Sequence, residues 1–222
     1  MYRKYGKRLL DLLITVPALA LLAPVLLLVA ALVRFRLGSP VLFRQLRPGR
    51  GGKPFVIYKF RTMLDLRDGQ GDLLPDGERM TAFGCWLRRT SVDELPEVLN
   101  VLKGEMSLVG PRPLLMRYLD RYTPAQARRH DVLPGITGLA QINGRNAITW
   151  DQKFAHDVWY VDHRSFWMDI KILLLTCRAV LTRHGVNASE DVTMPEFWGA
   201  HAPPEKDALH AAAAQASALS RP

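Results

Sequence analysis

The feature that most constrains this chain is an uninterrupted apolar stretch near its N-terminus. From Leu12 to Val33 the sequence has 22 residues without a charge. At about 1.5 Å of rise per residue, a helix of that length could cross a hydrocarbon core of roughly 30 Å. The basic residues before it suit a signal peptide, but the apolar stretch is too long and Ala-Leu-Val-Arg-Phe-Arg is a poor cleavage context. We therefore expect a membrane-embedded helix.

The flanks of this stretch, and a proline within it, favour a helix that enters and leaves the membrane on one face. The basic residues before it are Arg3, Lys4, Lys7 and Arg8, and those after it are Arg34, Arg36, Arg44, Arg47, Arg50 and Lys53. Basic flanks remain on the cytoplasmic side, and one straight crossing cannot satisfy both. Pro24 lies near the midpoint, where a proline favours a sharp bend. We predict a re-entrant helix-break-helix over residues 1–37, with a single span as the alternative.

The basic charge of the chain is concentrated in the same region. Residues 1–60 contain eleven Lys and Arg residues and a single acid. Residues 61–222 contain nineteen basic residues and twenty acids, so the formal net charge of the chain is +9. Such a charge suits nucleic acid as readily as lipid. Because it brackets an apolar segment, we expect membrane lipids as partners and no nucleic acid. The two cysteines, Cys85 and Cys177, form no disulfide or metal pattern and favour a cytosol-facing location.

Beyond the apolar segment the sequence predicts a mixed domain that is mainly helical. Turn residues surround the apolar runs 41–43 and 55–58, which predicts a short β-hairpin. Residues 150–181 follow a helical pattern rich in aromatic residues, so these helices either lie in the membrane interface or form ordinary core. The predicted class is α+β, mainly α, with interfacial amphipathic helices. The predicted domains are a re-entrant anchor at 1–37, a cytoplasmic catalytic domain at 38–200 and a disordered Ala-rich tail at 201–222.

Two adjacent carboxylates flanked by basic side chains are the main candidates for chemistry. Asp93 and Glu94 lie between Arg88 and Arg112 in the sequence. A carboxylate can attack a phosphoryl group, while arginines, and Mg²⁺ held by the second carboxylate, screen its charge from an anionic substrate. Ser91 followed by Glu94 also fits the capping box S-x-x-E. The sequence therefore predicts either a phosphate site or a helix cap.

Other side chains are candidates for substrate binding, each with a structural alternative. Arg112 lies between two prolines, which either present one guanidinium from a near-fixed backbone or form a rigid connector. Lys59 and Arg61 alternate with apolar residues, as in a half-buried strand, and are otherwise solvated charges. The remaining candidates are Arg145 and Asn146, which suit a nucleotide contact or a turn, and Asp157 and Asp169, which suit a substrate contact or a solvated helix surface.

Five motifs occur in order along the chain. They are Lys-Phe-Arg-Thr-Met at 59–63, the stretch 88–113 with Asp-Glu-Leu-Pro and Ser-Leu-Val-Gly-Pro-Arg-Pro, Pro-Gly-Ile-Thr-Gly-Leu-Ala-Gln at 134–141, Asn-Gly-Arg-Asn at 143–146 and Asp-Val-Trp-Tyr-Val-Asp at 157–162. Together they resemble the bacterial sugar transferases, that is, the monotopic phosphoglycosyl transferases. The resemblance extends from about residue 7 to residue 199, and the compact length is similar to that of the minimal form of this family.

The resemblance implies a two-step transfer by a monotopic enzyme at the cytoplasmic face of the bacterial inner membrane. Asp93 would attack the β-phosphate of a UDP-sugar, release UMP and hold the sugar phosphate until undecaprenyl phosphate accepts it. Glu94 would bind Mg²⁺. Phosphate and nucleotide contacts would come from Lys59, Arg88, Arg112, Arg145 and Asn146. Similar enzymes have a Ser-Pro break in the membrane helix, whereas Ala23 precedes Pro24 here.

Two other functions are compatible with the residues alone. A non-enzymatic membrane-surface adapter would use its basic N-terminus to hold anionic lipid and its acids only to cap helices. A glycosyltransferase that works through a direct ternary complex would use Asp93 as a general base. A sugar phosphate attached to Asp93 in the absence of lipid distinguishes the covalent mechanism from both.

Overall fold

The computed structural model describes residues 1–144, 148–182 and 196–199. These ranges are mostly helical with two small sheets, which confirms the coarse fold class predicted from the sequence. The helices are α1 (Lys7–Leu37), α2 (Asp76–Arg79), α3 (Ala82–Arg89), α4 (Val98–Lys103), α5 (Pro124–Ala127), α6 (Leu139–Ile142), α7 (Trp150–His163) and α8 (Phe166–Thr182). The strands are β1 (Leu42–Pro48), β2 (Pro54–Phe60), β3 (Ser107–Val109) and β4 (Gly135–Thr137). The predicted tail at 201–222 lies outside the described residues.

Helix α1 is the apolar segment identified in the sequence. It has 31 residues and follows a π-helical turn at Tyr2–Gly6. Within the described ranges, Tyr2–Leu37 is the one segment long and apolar enough to cross a membrane. The helix continues through Pro17 and Pro24, so the break expected at Pro24 does not interrupt it. Each proline removes one main-chain hydrogen bond, and the other bonds of so long a helix maintain it.

The N-terminal end of α1 is bound to the rest of the protein by polar contacts. Asp11 is 1% exposed, and its Oδ1 accepts hydrogen bonds from the Ser107 hydroxyl at 3.0 Å and the Leu108 amide at 3.1 Å. Arg8 donates to the Leu102 carbonyl at 2.8 Å. Because a buried carboxylate is stable only where donors replace water, these bonds fix the start of α1 beside β3.

The C-terminal end of α1 packs against the same body through apolar contacts. Val29, Val33 and Leu37 recur every four residues on one helical face and form a core cluster with Phe60 of β2 and Leu87 of α3. Large apolar side chains between the two ends are exposed, and these are Val16, Leu21, Val25, Leu27 and Leu28. Both ends of α1 therefore contact one globular body, while its middle presents apolar surface to the surroundings.

Strands β1 and β2 form the predicted β-hairpin. They pair antiparallel around a turn at Arg50–Gly52. Because side chains alternate along a strand, Lys59 of β2 shares a face with the buried residues Phe55 and Ile57. The hairpin thus directs the Lys59 ammonium toward the protein rather than into open solvent.

A second, parallel pair of short strands positions the loop that contains Arg112. Strands β3 and β4 pair with Ser107 opposite Gly135. A Cβ at Gly135 would lie 2.1 Å from the Gly110 nitrogen, so only glycine permits this approach of the two backbones. The Gly135 amide also donates to the Pro111 carbonyl at 3.0 Å. The Pro-Arg-Pro loop therefore leaves β3 along a fixed path.

The aromatic residues of α7 and α8 are divided between core and surface. Phe154 and Tyr160 are buried, whereas Trp159 and Trp167 are exposed to 45% and 77% of their surface. Of the two interpretations of this stretch, core packing therefore accounts for the buried rings. A place in the membrane interface remains a prediction for the exposed rings.

Candidate active site

The two adjacent carboxylates lie on a short 3₁₀ turn that precedes α4. The turn covers Val92–Glu97, and Ser91 before it has a φ of 56°, in the left-handed region that non-glycine residues seldom occupy. Ser91 makes no capping hydrogen bond with its side chain. The structure thus lacks the capping box that was the alternative interpretation. The Glu94 carboxylate instead accepts hydrogen bonds from Lys59 and Arg112.

Glu94 is held by two cations that come from different elements. The Lys59 ammonium on β2 lies 2.6 Å from Glu94 Oε1. Arg112 donates to both carboxylate oxygens, with Nη1 at 3.2 Å from Oε2 and Nη2 bonded to Oε1. Burial raises the pKa of Glu94, but the charges of Arg112 and Lys59 outweigh burial and hold this pKa below its ordinary range. Glu94 is therefore ionised at neutral pH.

Asp93 has the opposite electrostatic environment. Its side chain is buried, with 8% of the residue exposed. Burial raises the pKa of Asp93, and the neighbouring charge of Glu94 raises it further. The cations Lys59, Arg112 and Arg88 offset only part of this increase, so the pKa is about 6. At pH 7 Asp93 is therefore mostly ionised, yet more basic than an ordinary aspartate. A carboxylate of this kind is suited to nucleophilic attack on an electrophilic phosphorus.

Both carboxylates line a cleft with a volume of about 770 Å³. This size accommodates a nucleotide-sized ligand. The sequence-predicted candidates that line it are Lys59, Arg61, Arg88, Asp93, Glu94 and Arg112. Three cations, Lys59, Arg88 and Arg112, act electrostatically on Asp93, and side chains of this kind form strong hydrogen bonds with phosphate oxygens. Arg145 and Asn146 lie outside the described residues.

Asp157 does not line the cleft but acts on it through a second residue. Its Oδ2 accepts from Arg129 Nε at 3.0 Å and Nη2 at 2.6 Å, and both side chains are almost fully buried. The same Arg129 Nη2 donates to the Arg112 carbonyl at 2.8 Å. The structure therefore connects Asp157 to the backbone of a cleft arginine instead of to the cleft itself.

Asp169 does not line the cleft and lies against the start of α1. It is fully buried and pairs with Lys7 Nζ at 2.9 Å. The hydroxyl groups of Tyr160, at 2.7 Å, and of Tyr2 also donate to it. These contacts place Asp169 in the attachment of α1 and not among the cleft residues.

Glu97 is a further acid of the same turn, and it was not predicted from the sequence as a site residue. It is 1% exposed and its Oε1 lies 3.2 Å from the Lys59 ammonium. Burial raises the pKa of Glu97, and the adjacent charge of Glu94 raises it further. The spacing contained a signal, because a residue three positions after Glu94 shares its helical face. Arg129 was also missed, and no local pattern identifies it.

A comparison with known families agrees with this geometry. The profile of the bacterial sugar transferases matches residues 2–183. The chain belongs to the bacterial sugar transferase family. Membership confirms the resemblance inferred from the five motifs and the expectation that the chain is a transferase.

Relatives of this sugar transferase include short and long proteins. The uncharacterized sugar transferase EpsL of Bacillus subtilis is 58% identical over 193 residues, which cover 87% of this chain and 96% of the relative. The UDP-glucose:undecaprenyl-phosphate glucose-1-phosphate transferase of Caulobacter vibrioides is 43% identical, over 79% of this chain and 70% of its own length. The UDP-N-acetylgalactosamine-undecaprenyl-phosphate N-acetylgalactosaminephosphotransferase of Aeromonas hydrophila is 40% identical, over 81% of this chain but 44% of the relative.

The donors in the cleft of this sugar transferase fit a Mg²⁺ ion whose coordination shell is completed by the substrate. The described residues contain no group of three or more His, Cys, Asp or Glu arranged around one metal position. Mg²⁺ in diphosphate sites is commonly bound by one or two carboxylates, with phosphate oxygens and water as the other ligands. Glu94 is ionised and lines the cleft, so it can supply such a ligand.

Proposed function

We propose that this sugar transferase moves a sugar 1-phosphate from a UDP-sugar to undecaprenyl phosphate through a covalent intermediate on Asp93. The observation that carries the proposal is a buried aspartate with a pKa of about 6 that lines a cleft and is acted on by the charges of Lys59, Arg88 and Arg112. The names of the Caulobacter and Aeromonas relatives support the substrate classes, and their different sugars leave the sugar unspecified. The product, a polyprenyl-diphosphate sugar, begins the membrane stage of polysaccharide, O-antigen or glycoprotein glycan assembly.

The first half of the reaction is a displacement at the β-phosphorus. A carboxylate oxygen of Asp93 forms a bond to the phosphorus that carries the sugar, and the bond from that phosphorus to the bridging oxygen breaks. The electron pair leaves with UMP, so the protein retains a sugar phosphate as an acyl phosphate. Arg112, Arg88 and Lys59 stabilise the charge that develops on the phosphate oxygens, because guanidinium and ammonium groups donate strong hydrogen bonds to anions.

The second half restores the carboxylate. An oxygen of undecaprenyl phosphate attacks the same phosphorus, the bond to Asp93 breaks and the diphosphate-linked sugar leaves with the lipid. Mg²⁺ bound at Glu94 would screen the phosphate charges in both halves. The buried position of Asp93 limits the access of water, which favours transfer to lipid over hydrolysis of the acyl phosphate.

The covalent step can be tested directly on the full-length protein. With Mg²⁺ and a matching UDP-sugar but no lipid, we expect a mass increase of one sugar phosphate located on Asp93 and about one equivalent of UMP. Intact-protein mass spectrometry and a UMP assay measure both, across a panel of UDP-sugars. A direct ternary complex predicts UMP only when lipid is added, and a non-enzymatic adapter predicts none.

For the membrane segment, we propose a re-entrant attachment to the cytoplasmic face of the bacterial inner membrane. The support is that both ends of α1 contact one globular body, through Asp11 at the start and Val33 at the end. In a straight span, one end would lie about 30 Å away across the hydrocarbon core. The exposed apolar middle of α1 and the basic flanks on both sides fit the same arrangement.

Cysteine labelling distinguishes a re-entrant helix from a span. In a background without Cys85 and Cys177, we expect Arg3→Cys and Arg50→Cys, both at exposed positions, to react from the cytoplasmic side of sealed vesicles. The measurement is modification by a membrane-impermeant maleimide before and after permeabilisation. Labelling of the two positions from opposite sides would establish a single span and refute the re-entrant arrangement.

A further inference from the structure

The Lys59 ammonium lies between two carboxylates, and it donates a hydrogen bond to only one of them. Its contact with Glu94 Oε1 is a hydrogen bond of 2.6 Å, whereas Glu97 Oε1 is 3.2 Å away in an ion pair. Among the described residues, Glu97 Oε1 accepts no hydrogen bond although it is buried. A buried acceptor without a donor is costly. Glu97 thus has an acceptor without a donor close to the Lys59 ammonium, which is hydrogen-bonded to Glu94 instead.

The proposed function requires a change at the first of these carboxylates. If Glu94 binds Mg²⁺, its Oε1 cannot also hold the Lys59 ammonium at hydrogen-bonding distance, because the two cations repel each other. Lys59 is largely buried, with 18% of its side chain exposed. Without a hydrogen-bond acceptor the buried ammonium would lose much of its stabilisation in this environment. Glu97 Oε1 can supply that acceptor after a small movement of the ammonium.

We propose that Glu97 is a positioning residue that retains the Lys59 ammonium at the cleft when Glu94 binds the metal. The proposal rests on the proposed function and adds a role for one acid of the turn. Glu97 is not among the residues that line the cleft and acts through Lys59. The Lys59 ammonium is bonded to Glu94 in the metal-free protein and to Glu97 once Glu94 holds the metal. It remains available to the phosphates in both states.

Three substitutions separate this role from a general effect of charge. Glu97→Gln keeps an oxygen that accepts from Lys59 but removes the negative charge, and Glu97→Ala removes both. Glu105→Ala is the matched control, because Glu105 is an acid of the same region that bonds to Asn100 and not to Lys59. If only nearby negative charge attracts Mg²⁺, Glu97→Gln and Glu97→Ala should behave alike.

The measurement is the Mg²⁺ concentration that gives half-maximal UMP release, and half-maximal thermal stabilisation in saturating UDP. We expect this concentration to rise about tenfold in Glu97→Ala, the order expected for one charge-assisted hydrogen bond. Glu97→Gln and Glu105→Ala should remain within about threefold of the parent protein. The thermal readout does not depend on turnover, so it tests Glu97 even if the parent protein released no UMP, an outcome that would refute the proposed function instead.

A double-mutant cycle with Lys59→Met completes the test. If Glu97 acts through Lys59, Glu97→Ala should cause no further change in the Mg²⁺ requirement once Lys59 is replaced. An unchanged requirement in Glu97→Ala would overturn the proposal. The same would follow from an equal increase in the Lys59→Met background, or from equal effects of Glu97→Gln and Glu97→Ala.

Discussion

Replacing Asp93 with asparagine is expected to reduce UMP release by at least about 10³-fold, because the variant lacks the nucleophile. Asparagine has nearly the same shape, but its amide does not form an acyl phosphate. The sugar phosphate adduct should be absent from the mass spectrum of this variant. Asp151→Asn, at an exposed acid on α7, is the matched control and should keep normal turnover. Normal turnover in Asp93→Asn would exclude the covalent mechanism.

The same variant should not be less stable than the parent protein. In the unfolded chain Asp93 ionises near its ordinary value of 3.8, and in the folded protein the pKa is about 6. The folded form therefore binds this proton more tightly, and its stability falls as the pH rises from about 4 to 6. At pH 7 the neutral asparagine avoids this cost, which is at most roughly 3 kcal/mol. Thermal unfolding at pH 7 should thus show equal or higher stability.

The dependence of adduct formation on pH gives an independent check of the nucleophile. Below its pKa Asp93 is protonated and cannot attack, so the rate should fall about tenfold per pH unit below roughly pH 6 and become level above it. The measurement is the single-turnover rate of adduct formation. A midpoint near 4 would mean that burial and Glu94 do not act on Asp93 as the structure indicates.

The sequence predicted the parts of the site that depend on local pattern. The hairpin, with Lys59 at its end, follows from turn residues and alternation. The carboxylate pair and Arg112 lie within twenty residues of each other. The structure was needed to exclude the capping box, because the conformation of Ser91 and the partners of Glu94 are not properties of spacing.

The residues whose position was not predicted have partners far away in the sequence. Asp169 bonds to Lys7, more than 160 residues earlier, and helical periodicity indicates a face but not the neighbour that covers it. Asp157 has a partner, Arg129, in a different element. Pro24 illustrates a different limit, since a proline favours a bend but does not determine whether the helix continues beyond it.

The buried pair of Arg129 and Asp157 should be highly sensitive to substitution. Their side chains are only 1% and 2% exposed. Arg129→Met leaves the Asp157 carboxylate buried without a counterion, and the free energy of unfolding should fall by about 3–5 kcal/mol. Arg128→Met is the matched control, because its pair with Asp162 is exposed and should contribute at most about 1 kcal/mol. Denaturant or thermal unfolding measures both.

A double substitution separates the stability of this pair from its effect on the cleft. Replacing both members with apolar residues, Arg129→Met with Asp157→Leu, removes both buried charges and should recover most of the lost stability. It does not restore the donor to the Arg112 carbonyl, which Arg129 supplies at 2.8 Å. We therefore expect a stable protein whose kcat remains at least about tenfold low, because a displaced guanidinium stabilises the transition state less well. Recovery of both stability and kcat would instead show that Arg129 only fills the core and that Arg112 is positioned by its two prolines.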